Sequence, residues 1–230
     1  MAPVPRETAA AAIAVYRDLL ARYHRTLDLV SPQAYADLDR HLAEAERYAA
    51  AVRELAAPAG PVLDLGSGAG LPGVVVAARL APREVWWVER RRRRAAFLTQ
   101  VAAHAGLAGV RVVPDDVRRL APPVPGVAAV TAQAVGTLVE VASLTQHLWG
   151  DQVLLVSRKG PDWPAEVDAL GAWWRRRADR APVASGPDGA APEADPDPAA
   201  AQSRWAAPQV RRADPLGTRG TLVAVELRGG

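Results

Sequence analysis

The sequence is organised around residues 62–73, which read VLDLGSGAGLPG. Four residues of strand character lead into a turn with glycine at positions 66, 68, 70 and 73, and the apolar residues that follow have helical character. Glycine adopts positive φ without steric cost, and without a Cβ it lets a ligand lie against the backbone. The stretch therefore predicts a strand, a glycine turn and a helix N-terminus that faces an electron-rich or anionic ligand.

Two ligand classes compete for this turn. Residues 68–73 match the G-x-G-x-x-G pattern of dinucleotide-binding folds, but a lone match is a weak signal. Asp64 lies two residues before Gly66. An acid there would repel a diphosphate, whereas it can accept hydrogen bonds from the ammonium group of S-adenosylmethionine. The pattern resembles motif I of the class I methyltransferases and favours that cofactor over a nicotinamide; its predicted contacts here are Asp64, Gly66, Ser67, Gly68 and Gly70.

Strand and helix signals alternate along the rest of the chain. Further strands are predicted at 85–88, 110–113, 127–131 and 153–156, with helices at about 91–105, 134–148 and 163–177. This alternation is typical of a doubly wound parallel sheet. Segments 208–212 and 221–227 predict a terminal β-hairpin. The expected fold is α/β: a Rossmann-like class I methyltransferase with a seven-stranded, mostly parallel sheet.

The segment before the glycine turn has helical periodicity. It predicts amphipathic helices at 6–27 and 34–56, with a break at Ser31 and Pro32. We divide the chain into an N-terminal helical cap, 1–57, and a methyltransferase domain, 58–230. The cap either covers the mouth of the site or packs beside it without touching the substrate. Residues 181–201 are of low complexity and are predicted to form a flexible loop.

Composition excludes several kinds of chemistry. The chain has no cysteine, and its four histidines lack metal-ligand spacing, so neither thiol catalysis nor a metal site is predicted. No apolar run approaches the ~20 residues that span a membrane. The N-terminus also lacks the succession of basic, apolar and cleavable regions that marks a signal peptide. These two observations together predict a cytoplasmic protein without membrane attachment. The net charge of +3 is a weak indication of nucleic-acid binding.

Acidic residues follow the second and third predicted strands. Glu89 comes about 20 residues after motif I, where a nucleotide-binding fold places the carboxylate that accepts both ribose hydroxyls. Asp116 can accept a hydrogen bond from the exocyclic amine of adenine, and Val117 can pack on the ring. Glu89, Asp116 and Val117 are therefore predicted cofactor contacts.

Basic and polar residues follow the other strands. Arginines occupy positions 90–94, at the start of a predicted helix. Because the helix dipole disfavours positive charge there, the charges must be compensated either by RNA phosphate or by solvent. Lys159 is the only lysine of an arginine-rich chain and ends the fifth strand, while Gln133 follows the fourth, where the methyl group should point. We predict Gln133 and Lys159 as catalytic, and Arg93, Arg94 and Lys159 as substrate contacts.

In order and spacing, four segments resemble the glucose-inhibited division protein B family: DLGSGAGLPG, VERRRRRAAFL, VTAQAVG and SRKG. Members of this family are bacterial 16S rRNA methyltransferases that form 7-methylguanosine in the small ribosomal subunit. Arg40 and His41 match the family's R-H-L segment, which implies that they contact the substrate. The resemblance also implies S-adenosylmethionine contacts at Gly66, Leu71, Val117, Arg118 and Gln133.

Position 133 departs from the family pattern. The family has arginine there, and Gln133 replaces its five donors and fixed charge with a neutral amide. The resemblance implies 16S rRNA, in the small ribosomal subunit, as the partner and guanine N7 as the acceptor. N7 carries no proton, so its methylation needs alignment more than a general base. A small heteroaromatic metabolite is the alternative substrate that Gln133 favours, and a protein that binds without turnover is a third possibility.

Overall fold

The computed structural model describes residues 6–178, 206–216 and 220–229. In these segments one sheet has the strand order β3-β2-β1-β4-β5-β7-β6. Strands β1 to β5 pair in parallel, β7 runs antiparallel to β5, and β6 runs antiparallel to β7. This confirms the predicted doubly wound, mostly parallel sheet. The strands are β1 (Val62–Leu65), β2 (Val85–Val88), β3 (Val110–Val113), β4 (Val127–Ala132), β5 (Trp149–Lys159), β6 (Ala206–Pro215) and β7 (Thr221–Arg228).

Helices cover both faces of the sheet. Successive side chains of a strand point to opposite faces. Val62 accordingly joins the apolar cluster under α1, α3, α4 and α5, and Leu63 joins the cluster under α6 and α7. The helices are α1 (Arg6–Tyr23), α2 (Pro32–Ala36), α3 (Leu38–Leu55), α4 (Gly73–Leu80), α5 (Arg92–His104), α6 (Leu138–Thr145) and α7 (Trp163–Ala178).

The N-terminal helices are shorter than the sequence predicts. Helix α1 ends at Tyr23 rather than at residue 27, and the turn that follows it reaches a φ of 50° at Asp28. The second predicted helix is divided in two. Ser31 caps α2 by accepting a hydrogen bond from the Ala34 amide at 3.1 Å, and the chain breaks again at Asp37 before α3. Helices α1 and α3 both pack on α4, which places them beside the end of β1.

Helix α6 begins at Leu138 rather than at residue 134. Ala134 and Gly136 have φ values of 58° and 100°, which a right-handed helix does not allow. A capping box between Thr137 and Glu140 then starts the helix. Residues 133–137 are therefore a loop at the carboxyl edge of the sheet.

Strand β5 is longer than predicted because it pairs with β7 from Gln152 to Lys159. The predicted hairpin is present, with the longer strands 206–215 and 221–228. The low-complexity segment 181–201 and the tip of the hairpin at 217–219 lie outside the described residues. None of the helices that the structure describes is long and apolar enough to cross a membrane.

Candidate active site

A pocket of about 590 Å³ opens at the carboxyl edge of the parallel strands. Doubly wound folds bind their ligands at this edge, and the volume suits a small organic cofactor. Each of the five parallel strands has a lining residue within it or within two residues of its end, in the order Leu65, Val88, Asp115, Gln133 and Arg158. The pocket therefore collects residues from across the whole parallel part of the sheet.

The structure brings most of the predicted site residues to this pocket. Those that line it are Gly66, Ser67, Gly68, Leu71, Glu89, Asp116, Val117, Arg118 and Gln133 from the cofactor set, with His41 and Arg94 from the substrate set. The predicted residues outside the lining are Asp64, Gly70, Arg40, Arg93 and Lys159.

The glycine turn presents its backbone to the pocket. Gly66 and Gly68 have φ values of 68° and 57°, so a side chain at either position would strain the backbone. The turn is held from behind: the Gly66 amide donates to the carbonyl oxygen of Val88 at 2.9 Å, and the Ser67 hydroxyl donates to the carbonyl oxygen of Asp64 at 3.0 Å. This cradle matches a ligand that lies against the main chain.

The carboxylate of Glu89 joins the glycine turn to the loop before α5. The Glu89 side chain is buried, and its Oε2 accepts a hydrogen bond from the Gly68 amide at 3.0 Å while Oε1 accepts one from the Arg91 amide at 2.8 Å. Each carboxylate oxygen has a second lone pair. Glu89 can therefore fix the glycine turn and still accept from the hydroxyl groups of a ribose.

Replacing Glu89 by glutamine is expected to weaken S-adenosylmethionine binding by about 10- to 100-fold. The amide keeps the shape of the side chain but loses the charged acceptor that the ribose hydroxyls would use, and a hydrogen bond to a charged group contributes about 1.5–3 kcal/mol. Titration calorimetry measures the affinity. The charge-matched control is Asp18→Asn on the exposed face of α1, which should leave it unchanged; equal affinities for all three proteins would remove Glu89 from the site.

The carboxylate of Asp116 is hydrogen-bonded within its own loop. It accepts hydrogen bonds from the Arg118 amide at 3.0 Å, from Nε at 2.9 Å and from Nη2 at 2.5 Å. The Arg118 side chain, followed by its amide, holds the pKa of Asp116 well below its usual range. Three of about four acceptor positions are thus used. Asp116 shapes the turn that presents Val117 to the pocket, and at most one acceptor position remains for adenine.

Asp64 is buried behind the pocket wall, away from the position expected for a direct cofactor contact. Its Oδ1 accepts a hydrogen bond from the Thr131 hydroxyl at 2.6 Å. Among the described residues, its Oδ2 and the Nε1 of Trp87 are buried without a hydrogen-bond partner. Burial raises the pKa of Asp64 to about 6. The carboxylate faces Gly73, so the glycine there serves the packing of α4 on the sheet.

Gly70, the third glycine of the motif, also serves packing. Its φ is 112°, and an added Cβ would lie 2.9 Å from Val74 and 3.1 Å from Tyr16. Tyr16 itself is part of the pocket lining. Gly70 therefore lets helix α1 approach the glycine turn and supply a wall of the pocket.

Lys159 lies outside the pocket lining, so its role in catalysis and substrate binding stays a prediction. It is 5% exposed, and its Nζ lies 3.0 Å from Glu166 Oε2 and donates to the Gly136 carbonyl at 2.5 Å. Glu166 also accepts from the Leu138 amide at 2.9 Å. Lys159 therefore ties the loop before α6 to helix α7. Because neighbours in a strand face opposite sides, it is Arg158 that points to the pocket.

Replacing Lys159 by methionine is expected to lower the free energy of unfolding by about 2–3 kcal/mol. The change leaves Glu166, which is partly buried, without its cation, and breaking such a pair is destabilising. Urea denaturation measures the loss. The double variant Lys159→Met with Glu166→Gln should recover part of it, whereas unchanged stability with lost methyl transfer would return Lys159 to a catalytic role.

Two predicted substrate arginines also lie outside the lining. Arg40 pairs with Asp37 at 2.8 Å and with Glu44 at 2.7 Å, and Arg93 is exposed on α5. Helix α5 begins only at Arg92, so the two preceding arginines remain in the loop beside the glycine turn. The sequence indicated this arginine run, but it did not show which of the arginines line the pocket. The lining residues that it did not select include Arg90, Arg91 and Arg158.

The N-terminal segment supplies an apolar wall. Tyr16 and Leu20 of α1 and Leu38 of α3 line the pocket beside His41. Burial, and then the charge of Arg40, lower the pKa of His41. His41 is therefore neutral at neutral pH, and this side of the pocket suits a flat, uncharged ring.

The sheet order, the glycine turn after β1 and the carboxylate at the end of β2 together define a class I S-adenosylmethionine-dependent methyltransferase. Solved structures agree on the fold. A SAM-dependent O-methyltransferase from Thermotoga maritima matches with a TM-score of 0.50 and 12% identity, over 81% of this chain and 64% of its own. A SAM-dependent methyltransferase from Aquifex aeolicus matches with a TM-score of 0.50 and 13% identity, over 87% of this chain and 94% of its own.

Sequence comparison then identifies the family. The family model GidB, rRNA small subunit methyltransferase G, matches residues 9–176. A relative from Brucella canis named Ribosomal RNA small subunit methyltransferase G is 33% identical over 175 residues, 74% of this chain and 79% of the relative. A relative of the same name from Ralstonia nicotianae is 33% identical over 164 residues, which are 69% of this chain and 73% of the relative. The chain belongs to the GidB family, which confirms the resemblance seen in its motifs.

Proposed function

We propose that this protein transfers a methyl group from S-adenosylmethionine to N7 of a guanine in 16S rRNA, in the small ribosomal subunit. Family membership carries the proposal, because the matched region, residues 9–176, contains every residue that lines the pocket. The alternative acceptor, a small heteroaromatic metabolite, finds no support among the relatives described above. An rRNA substrate would place the protein in the cytoplasm, with the ribosomes.

The pocket suits a transfer that requires no proton removal. When bound, S-adenosylmethionine supplies an electrophilic methyl group on its sulfonium. Guanine N7 offers a lone pair without a proton, so the protein must chiefly align the acceptor. Gln133 lines the pocket directly after β4 and brings a neutral amide there, and His41, with its lowered pKa, also lines the pocket.

Basic side chains at the rim supply contacts for RNA. Arg90 and Arg91 are exposed and Arg94 is partly exposed, and all three line the pocket. Guanidinium groups match phosphate oxygens in charge and geometry. Binding at this rim should therefore weaken as salt concentration rises.

Transfer of a tritiated methyl group tests the proposal. The purified protein is incubated with labelled S-adenosylmethionine and small ribosomal subunits from a strain that lacks the modification, and the RNA is digested to nucleosides. We expect the label in 7-methylguanosine. Label in another nucleoside, or none although calorimetry shows that the cofactor binds, would overturn the proposal.

A further inference from the structure

Arg158 lines the pocket at the end far from the adenine and ribose positions. Along the carboxyl edge, Asp116 follows β3, Glu89 follows β2, Gln133 follows β4, and Arg158 lies near the end of β5. Neighbouring strands are about 4.8 Å apart, so β5 lies about 19 Å from β3. A cofactor held from β3 to β1 leaves the β4–β5 end of the pocket to the acceptor.

Arg158 and Gln133 both lie at this end. Ala132, the last residue of β4, pairs in parallel register with Ser157 of β5, so Gln133 directly follows one member of this pair and Arg158 directly follows the other. Both line the pocket. The acceptor end is therefore bordered by one neutral amide and one guanidinium group.

Helix α3 holds Arg158 in a fixed position. Its Nη1 donates to Glu44 Oε2 at 3.1 Å, and its backbone amide donates to the Tyr48 hydroxyl at 2.8 Å. Glu44 and Tyr48 are both buried, while the Arg158 side chain is 26% exposed. Rigid neighbours fix the direction of the guanidinium, so its remaining N–H groups can act as oriented donors.

The charges around Arg158 are balanced. Glu44 also pairs with Arg40 at 2.7 Å, and Arg40 pairs with Asp37 at 2.8 Å, which gives two carboxylates for two guanidinium groups. A balanced cluster has little net attraction for an anion. Its free N–H groups suit a neutral carbonyl oxygen better than a phosphate or a carboxylate.

The pocket lining also contains apolar residues from the N-terminal segment, among them Leu29, Val30 and Leu38. A planar ring can pack on such residues while a donor reaches its edge. Guanine presents O6 beside N7 on one edge, and arginine is a common partner of that edge. We propose that Arg158 donates a hydrogen bond to O6 of the acceptor guanine, which directs N7 toward the methyl group and leaves its lone pair free. This inference rests on the proposed function.

The first test compares wild type with Arg158→Gln. Loss of a hydrogen bond donated by a charged group should lower kcat/KM for small subunits lacking the modification by about 10- to 100-fold. The Kd of S-adenosylmethionine from calorimetry should stay within about twofold. Arg158→Lys keeps a cation for Glu44 but loses the fork and should show a similar loss with an unchanged melting temperature. Arg176→Gln, exposed on α7, is the matched control.

The second test removes O6 from the substrate. 16S rRNA is assembled with 2-aminopurine at the methylated position, which retains N7 and lacks O6. Wild-type turnover should fall on this RNA, and Arg158→Gln should cause no further loss, because the two changes remove the same contact.

The possible outcomes separate this inference from the function. A further loss with 2-aminopurine, or an equal loss of cofactor affinity, would overturn the contact between Arg158 and O6 while the methyltransferase activity stands. Full activity of Arg158→Gln would do the same. Absence of RNA methylation by the wild-type protein would overturn the proposed function and this inference together.

Discussion

Replacing Gly73 by alanine is expected to lower the free energy of unfolding by about 3 kcal/mol, at the upper end of overpacking effects. An added Cβ would lie 2.5 Å from Asp64 Oδ2 and 2.8 Å from Trp87 Nε1. Both side chains are buried in the centre of the sheet, so neither can move aside. Urea denaturation of the ligand-free protein measures the change.

Gly171→Ala is the matched control for this substitution. Gly171 lies in helix α7, and an added Cβ would meet nothing closer than Arg175 Nη1 at 3.7 Å. Alanine is the better helix former, so this variant should gain up to about 1 kcal/mol. Equal denaturation midpoints for the two variants would show that α4 does not pack on β1 and β2 as described.

Asp64→Asn is expected to change how stability depends on pH. Burial raises the pKa of Asp64 to about 6 in the folded state, against a usual value of 3.8. The ionised carboxylate therefore destabilises the folded state above pH 6, and this penalty disappears as the folded state takes up a proton between pH 6 and pH 4. At 1.36 kcal/mol per pKa unit, the effect is on the order of 3 kcal/mol.

Urea denaturation at pH 7 and pH 4 measures this effect. Relative to wild type, the free energy of unfolding of Asp64→Asn should fall by that amount between pH 7 and pH 4. Asp162→Asn, at an exposed position, should track wild type at both values. A constant difference between Asp64→Asn and wild type would contradict the raised pKa.

Burial penalises the ionised form of Asp64 relative to the protonated form, and the residue also has a clear structural task. Its Oδ1 joins β1 to Thr131 of β4, and its carbonyl oxygen accepts from Ser67 at the start of the glycine turn. It also leaves a negative charge directly behind that turn. The expectation that Asp64 favours the cationic cofactor stays a prediction, and calorimetry on Asp64→Asn tests it.

The sequence by itself determined the central strands and the location of the site. The bounds of β1, β2 and β3 match the prediction. Strands β1 and β2 are largely apolar and buried throughout, whereas β3 is an edge strand in which only Val113 is buried. Residues that follow parallel strands meet at one edge of the sheet. Glu89, Val117 and Gln133 could therefore be placed together before any contact was known.

Only the tertiary structure decided which side chains reach the pocket. Lys159 and Arg158 are neighbours in sequence, and the phase of β5, fixed by its pairing with β7, turns one toward Glu166 and the other toward Glu44. Glu166 lies on α7, the next helix along the chain, whereas Glu44 lies on α3, 114 residues before Arg158. Local sequence carries the periodicity of a strand, but the direction of each side chain depends on what packs against its two faces.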